Sequence, residues 1–164
     1  MDFESLNDED LVASYPALLA EMKRRGIIRT RNIVGDLGEY LAIRQYNATP
    51  GLPKLQAAPP GTHNVDALGR NGDRYTIKST TGSVTGAFHG LPEKGSETVP
   101  EQRFEFVIVV VLNADYSIDR ILELTWAQFL KHKRWHSRVR AWNLALNKEL
   151  LADAKVVFDC KVAS

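Results

Sequence analysis

A chain of 164 residues that is 44% hydrophobic and 25% charged has the size and make-up of one domain around one core, and it excludes a largely disordered chain. Lys and Arg number 21 against 20 Asp and Glu, a net charge of +1, so any basic surface for nucleic acid must come from local clustering. A single cysteine, Cys160, excludes an intrachain disulfide and a thiolate zinc site. The acidic start (MDFESLNDED) and the shortness of the longest apolar run, Phe106 to Leu112, predict a cytoplasmic protein with neither signal peptide nor membrane span.

The first predicted element is a helix over residues 5–25. Ser5 or Asn7 can cap it, and Asp8, Glu9 and Asp10 complement the dipole of its first turn. Leu11, Tyr15, Leu18, Leu19 and Met22 recur at helical spacing, Pro16 predicts a kink or break, and Gly26 is a natural stop. This N-terminal helical segment, about 5–26, opens a single domain expected to span 1–164. A second helix starts near Thr30 or Asn32 and runs to about Tyr46. Val34, Leu37, Leu41 and Gln45 form its main stripe, while Gly35, Gly38 and Ala42 form a strip of small residues suited to close approach, with Glu39 beside that strip.

Residues 47–63 are rich in Pro and Gly and read as loop. Two short strands follow, Asn64 to Leu68 and Arg74 to Ser79, joined by a turn with an Asn71-Gly72 step. Residues 80–102 form a long polar loop with four glycines, a length that suits a mobile lid. Phe104 to Leu112, apolar on both faces, reads as a buried strand, and Ser117 to Glu123 as its pair. Thr125 caps a helix beginning at Trp126, a last helix is expected over about Arg138 to Ala152, and Lys155 to Lys161 closes as a strand. That order implies an α/β domain, a mixed sheet with helices packed on it.

Chemistry concentrates at Val65-Asp66-Ala67 and Tyr75-Thr76-Ile77-Lys78-Ser79. Alternation along a strand puts Thr76 and Lys78 on one face and Tyr75, Ile77 and Ser79 on the other, and the hairpin brings Asp66 near Lys78. A carboxylate can hold Mg²⁺, and a lysine can position a water and offset phosphoryl charge; Glu39 is the candidate second acid. Asp66 and Lys78 also have a plainer reading as a structural ion pair, and Glu39 as a solvated helix residue.

Gly35-Asp36-Leu37-Gly38-Glu39 on a helix, then Asp66, then a strand ending Ile77-Lys78-Ser79, resembles the PD-(D/E)xK nuclease superfamily. The stretch Arg25 to Asn32 followed by Gly35-Asp36 also resembles an uncharacterised bacterial family within it, and the resemblance covers about residues 20–125. It implies a restriction-endonuclease-like fold, a Mg²⁺ or Mn²⁺ cofactor and hydrolysis of DNA phosphodiester bonds, often by a homodimer. Residue by residue it implies that Glu39 is the helix acid, Asp66 the metal-binding aspartate and Lys78 the catalytic lysine, with the Ile77 carbonyl a further ligand. Thr76 departs from the pattern, which expects Glu or Gln there. The rival readings are a non-cleaving nucleic-acid-binding module on the same fold, or a partner subunit of a defence or modification system.

Two basic runs are candidates for contact with nucleic acid, double-stranded DNA in the first instance: Arg25, Arg29 and Arg31 beside Lys23 and Arg24, and Lys131, Lys133, Arg134, Arg138 and Arg140 with Trp135 and His136 interleaved. Each run also reads as a solvated face. His132 and His136, spaced i, i+4, lack the glutamate of a zinc-helix motif, while His63 and His89 read as loop histidines. Trp126 and Phe129 read as core.

Overall fold

In the computed structural model, residues 2–59 and 61–162 are described, so Pro60 of the expected loop and the extreme ends of the expected 1–164 domain lie outside the described residues. The chain runs α1 (Asp8–Arg24), α2 (Ile33–Ala48), β1 (Leu55–Ala57), β2 (Ala67–Gly69), β3 (Arg74–Thr80), β4 (Phe106–Leu112) and β5 (Ile118–Thr125), then α3 (Trp126–His132), β6 (Lys133–His136), β7 (Ala141–Leu144), α4 (Lys148–Asp153) and β8 (Lys155–Asp159). Six strands make a mixed sheet in the order β1-β2-β3-β4-β5-β8, and β6 and β7 form a separate hairpin. Only β3 and β4 are parallel, and every other neighbouring pair in the large sheet is antiparallel. This is a single-domain α/β fold with helices flanking the sheet.

β4 lies in the interior of the sheet, and Val107, Ile108, Val109 and Val110 are all fully buried, as a strand covered on both faces requires. One core joins Ile108, Val110 and Ile77 to Ala42 and Tyr46 of α2. The other joins Val107, Val109 and Leu122 to Phe88, Phe104, Phe129, Leu144 and Leu150. The sheet is therefore the middle layer, with α2 on one face and α3, α4 and β7 on the other.

The small-residue strip of α2 does what its composition predicts. A Cβ on Gly38 would lie 1.7 Å from Ser79 Oγ and 2.6 Å from Ser79 Cβ, so only glycine lets α2 sit this close to β3. Asn32 caps α2 by accepting the Gly35 N–H, and Thr125 caps α3 with a full capping box through Gln128.

Four expectations change. Residues 47–63 include a three-residue edge strand, β1, paired to β2. The expected helix from Arg138 to Ala152 is instead a turn, β7 and the short α4, because Trp142 and Leu144 are pulled into antiparallel pairing with β6 and into the second core. The loop after β3 is not a free lid along its first half. Phe88 and Trp142 exchange backbone hydrogen bonds, and the Thr85 and Leu146 N–H groups donate to Leu144 and Ser83. Finally, α1 runs unbroken through Pro16 and buries none of its residues.

Candidate functional site

β2 pairs with β3 only as far as Ala67 opposite Tyr75, and one further bond runs from the Asp66 N–H to the Tyr75 carbonyl. Beyond that point β3 continues beside β4 alone, and the chain before Asp66 turns away. Asn64, in the left-handed region at φ 61°, helps make that departure, a conformation asparagine tolerates better than most residues. The Tyr75 carbonyl points toward β2, so alternation turns the N–H and C=O of Ile77 the same way, into the gap.

Asp66 fills the mouth of this gap. Its Oδ2 accepts the Ile77 N–H at 2.6 Å and the Thr76 hydroxyl at 3.0 Å. Oδ1 has no hydrogen-bond partner among the described residues. A cavity of about 280 Å³ opens here, with Asp66, Glu39, Asp36 and Arg29 in its wall. Helix α2 therefore brings its acid to the aspartate. Burial, and next the negative field of Asp66, push the Glu39 carboxyl above its ordinary range, while Arg29 pulls the other way. The Arg29 guanidinium is ion-paired with Glu39 Oε2.

Asp36, almost fully buried, was no site candidate from sequence, although it stands three residues before Glu39 and so shares its helix face. Its carboxylate accepts the Arg29 N–H at 2.7 Å, together with the N–H and hydroxyl of Thr30. It pins the segment that delivers Arg29, a role visible in the sequence only as a second acid in Gly35-Asp36-Leu37-Gly38-Glu39.

Lys78 occupies a different environment from the one sequence reasoning gave it. It lies one same-face step beyond Thr76, about 7 Å along the strand. Its ammonium sits 5.3 Å from the centre of the Phe88 ring, and it forms no ion pair with Asp66 or Glu39 among the described residues. The backbone bonds that tie Phe88 to Trp142 thus also fix what covers Lys78. Glu39 and Asp66 share the cavity wall and Thr76 and Ile77 bond Asp66, whereas Lys78 lies apart from them, against Phe88 of the other core.

The donor set suits a hard divalent cation. Asp66 Oδ1 and Glu39 Oε1 carry no hydrogen bond among the described residues, and the Ile77 carbonyl faces the same gap, giving oxygen donors of the kind Mg²⁺ or Mn²⁺ accepts alongside waters. Among the described residues no three His, Cys, Asp or Glu side chains are grouped to hold a metal, so an ion here would have to be held by two carboxylates, a carbonyl and water.

The basic runs are partly neutralised by acids, one on the same helix and others distant in sequence. Arg25 pairs with Glu21, Lys131 and His132 with Asp153, and Arg140 with both oxygens of Glu93. Arg31, Arg134 and Arg138 are exposed and form no ion pair among the described residues. His132 ends α3 and His136 ends β6, so the two do not share a helix face. Lys133 lies 3.2 Å from the Trp142 ring centre, and burial pushes its ammonium below the usual lysine range. With Lys94, Arg134 and Trp135, these two line a groove of about 340 Å³. His63 and His89 are exposed loop residues. No helix among the described residues is long and apolar enough to cross a membrane.

This site and sheet define an α/β domain with paired acids where two strands part. No family model matches the chain, and no curated protein matches it.

Proposed function

We propose that this protein is a metal-dependent nuclease that hydrolyses DNA phosphodiester bonds with a Mg²⁺ or Mn²⁺ ion held by Asp66, Glu39 and the Ile77 carbonyl. The observation that carries the reading is the convergence of Glu39 and Asp66, from separate elements, on one open cavity, close enough for the field of one to disfavour ionisation of the other. Two carboxylates with a single paired arginine leave an excess of negative charge that a cation relieves. When bound, such an ion supplies Lewis-acid polarisation of the phosphate and lowers the pKa of a water.

The chain's own residues do the rest. The Ile77 N–H and the Thr76 hydroxyl hold Oδ2 of Asp66 and leave Oδ1 for the ion. Arg29 steadies Glu39 and lies in the cavity wall, where its guanidinium can meet a phosphate oxygen. Lys78, held over Phe88 two residues beyond Thr76 and outside the cavity wall, leaves that ring when substrate binds and offsets charge developing on the phosphoryl oxygens. Lys133, Arg134 and the paired tryptophans of the β6–β7 groove supply backbone contact and a stacking surface.

The test is incubation of plasmid and oligonucleotide substrates with Mg²⁺ or Mn²⁺. The wild type cleaves, and Lys78→Ala and Asp66→Asn each lose cleavage while keeping the wild-type circular dichroism spectrum. One observation favours a second reading, a non-cleaving DNA-binding module: Thr76 gives Asp66 a hydrogen bond where a further acidic ligand would stand. Salt-sensitive retention on DNA with no cleavage under any metal selects that reading.

A further inference from the structure

Helix α1 is an orphan in this fold. None of its 17 residues is buried, and Leu11, Tyr15 and Leu18 are 43%, 59% and 52% exposed. A helix of this length has little stability of its own in water, and Pro16 removes one of its hydrogen bonds. Its apolar side therefore needs a cover that the rest of the described chain does not provide.

The pattern on that side specifies the cover. Leu11, Tyr15, Leu18 and Met22 are spaced four, three and four, the seam of a coiled coil. Asp8 and Arg25 extend the seam by three residues at either end. These six positions are placed symmetrically about the midpoint between Pro16 and Ala17. If a second α1 lies antiparallel across a two-fold axis at that midpoint, Tyr15 meets Leu18 of the second copy, Leu11 meets its Met22, and Asp8 meets its Arg25. The charges agree. Asp8, Glu9 and Asp10 occupy the first turn, and Lys23 and Arg24 the last, so the antiparallel pair sets acid against base at both ends, whereas a parallel pair sets like on like. Arg25 uses Nε on Glu21 of its own helix and keeps its Nη groups for the second copy.

We propose that α1 is a self-complementary dimerisation helix and that its occupant is a second copy of this chain, packed antiparallel. A single seam of this length belongs with small, dissociable interfaces, below about 1,200 Å². The dimer is therefore concentration-dependent.

Sedimentation equilibrium of the full chain, from dilute to concentrated solution, tests this. The expected result is a rise from monomer to dimer mass that Leu18→Glu abolishes while leaving the near-ultraviolet circular dichroism of the body unchanged. Asp8→Lys and Arg25→Glu, each altering two symmetry-related contacts, weaken the dimer by roughly tenfold apiece, and the combined variant restores it. Three outcomes overturn the proposal: a monomer at every concentration, as a different protein on α1 would give; a dimer indifferent to Leu18→Glu; or a combined variant weaker than either single one.

Discussion

Replacing Gly38 with alanine probes the contact that sets Glu39 against Asp66. In an ordinary helix interior the change stabilises by about 1 kcal/mol, because alanine loses less backbone freedom. Here the new Cβ arrives 1.7 Å from Ser79 Oγ and 2.6 Å from Ser79 Cβ, and rotating the hydroxyl away relieves only the first clash. Helix α2 must then lift off β3. Overpacking of this kind costs about 3 kcal/mol at the upper end of its usual range, so the net loss is about 2 kcal/mol. In a domain this size that lowers Tm by roughly 4–8 °C. Urea denaturation followed by circular dichroism measures the loss. Gly38→Ala combined with Ser79→Gly, which removes both clashing atoms, should recover most of it. A single variant as stable as the wild type would refute the close packing, and with it the placement of Glu39.

Three other changes address the electrostatics and the site. Burial and Asp66 raise the folded Glu39 carboxyl above its ordinary 4.5, so the folded state holds that proton more tightly than the unfolded one. The stabilisation is complete below the unfolded value and is lost as pH rises through the folded one. Glu39→Gln, relative to wild type, should therefore gain stability as pH climbs from about 4.5 toward neutrality, and urea midpoints that track wild type at every pH would contradict this. Thr76→Glu replaces the hydroxyl on Asp66 with a third carboxylate and should tighten Mn²⁺ binding by about tenfold or more, read by titration calorimetry; an unchanged isotherm would count against the proposed ligand geometry. Tyr46→Phe deletes the buried hydrogen bond from the Tyr46 hydroxyl to Glu123 Oε2 at 2.5 Å, leaving Lys155 on Oε1, and should cost about 1.5–3 kcal/mol in chemical denaturation. A neutral result would mean that Glu123 finds solvent in its place.

The parts of this fold that were legible in the sequence are those whose signal is local. Asn32 and Thr125 announced their helices by capping chemistry, the Asn71-Gly72 step announced the β2–β3 hairpin, and the apolar run of β4 announced a strand covered on both faces. The small residues of α2 announced a close approach, and Gly38 is where it occurs. What escaped is fixed by partners far along the chain. β1 is three residues long and exists because β2 lies beside it. β7 carries a pattern a helix would also accept, and its strand form is decided by β6 and by the loop at 84–88. The candidate site divides in the same way. Glu39 and Asp66 meet as their order on helix and strand implied, and Thr76 touches Asp66 because β2 and β3 pair in that register. The place of Lys78 depended on Phe88, ten residues on, which nothing local assigned to the same face. Arg29 looked like one more member of a basic cluster, yet its ion pair is with the helix acid. The apolar spacing of α1 is helical and the helix forms, but spacing alone does not say what the helix packs against.

The most direct test of the proposed nuclease is the metal itself. Crystals grown with Mn²⁺ and measured near the manganese absorption edge should show an anomalous peak in the cavity between Asp66 Oδ1 and Glu39, within ligand distance of the Ile77 carbonyl, and the peak should vanish in Asp66→Asn. A well-ordered cavity with no peak at saturating Mn²⁺, or with Arg29 still closed on Glu39 and water alone beside Asp66, would contradict it.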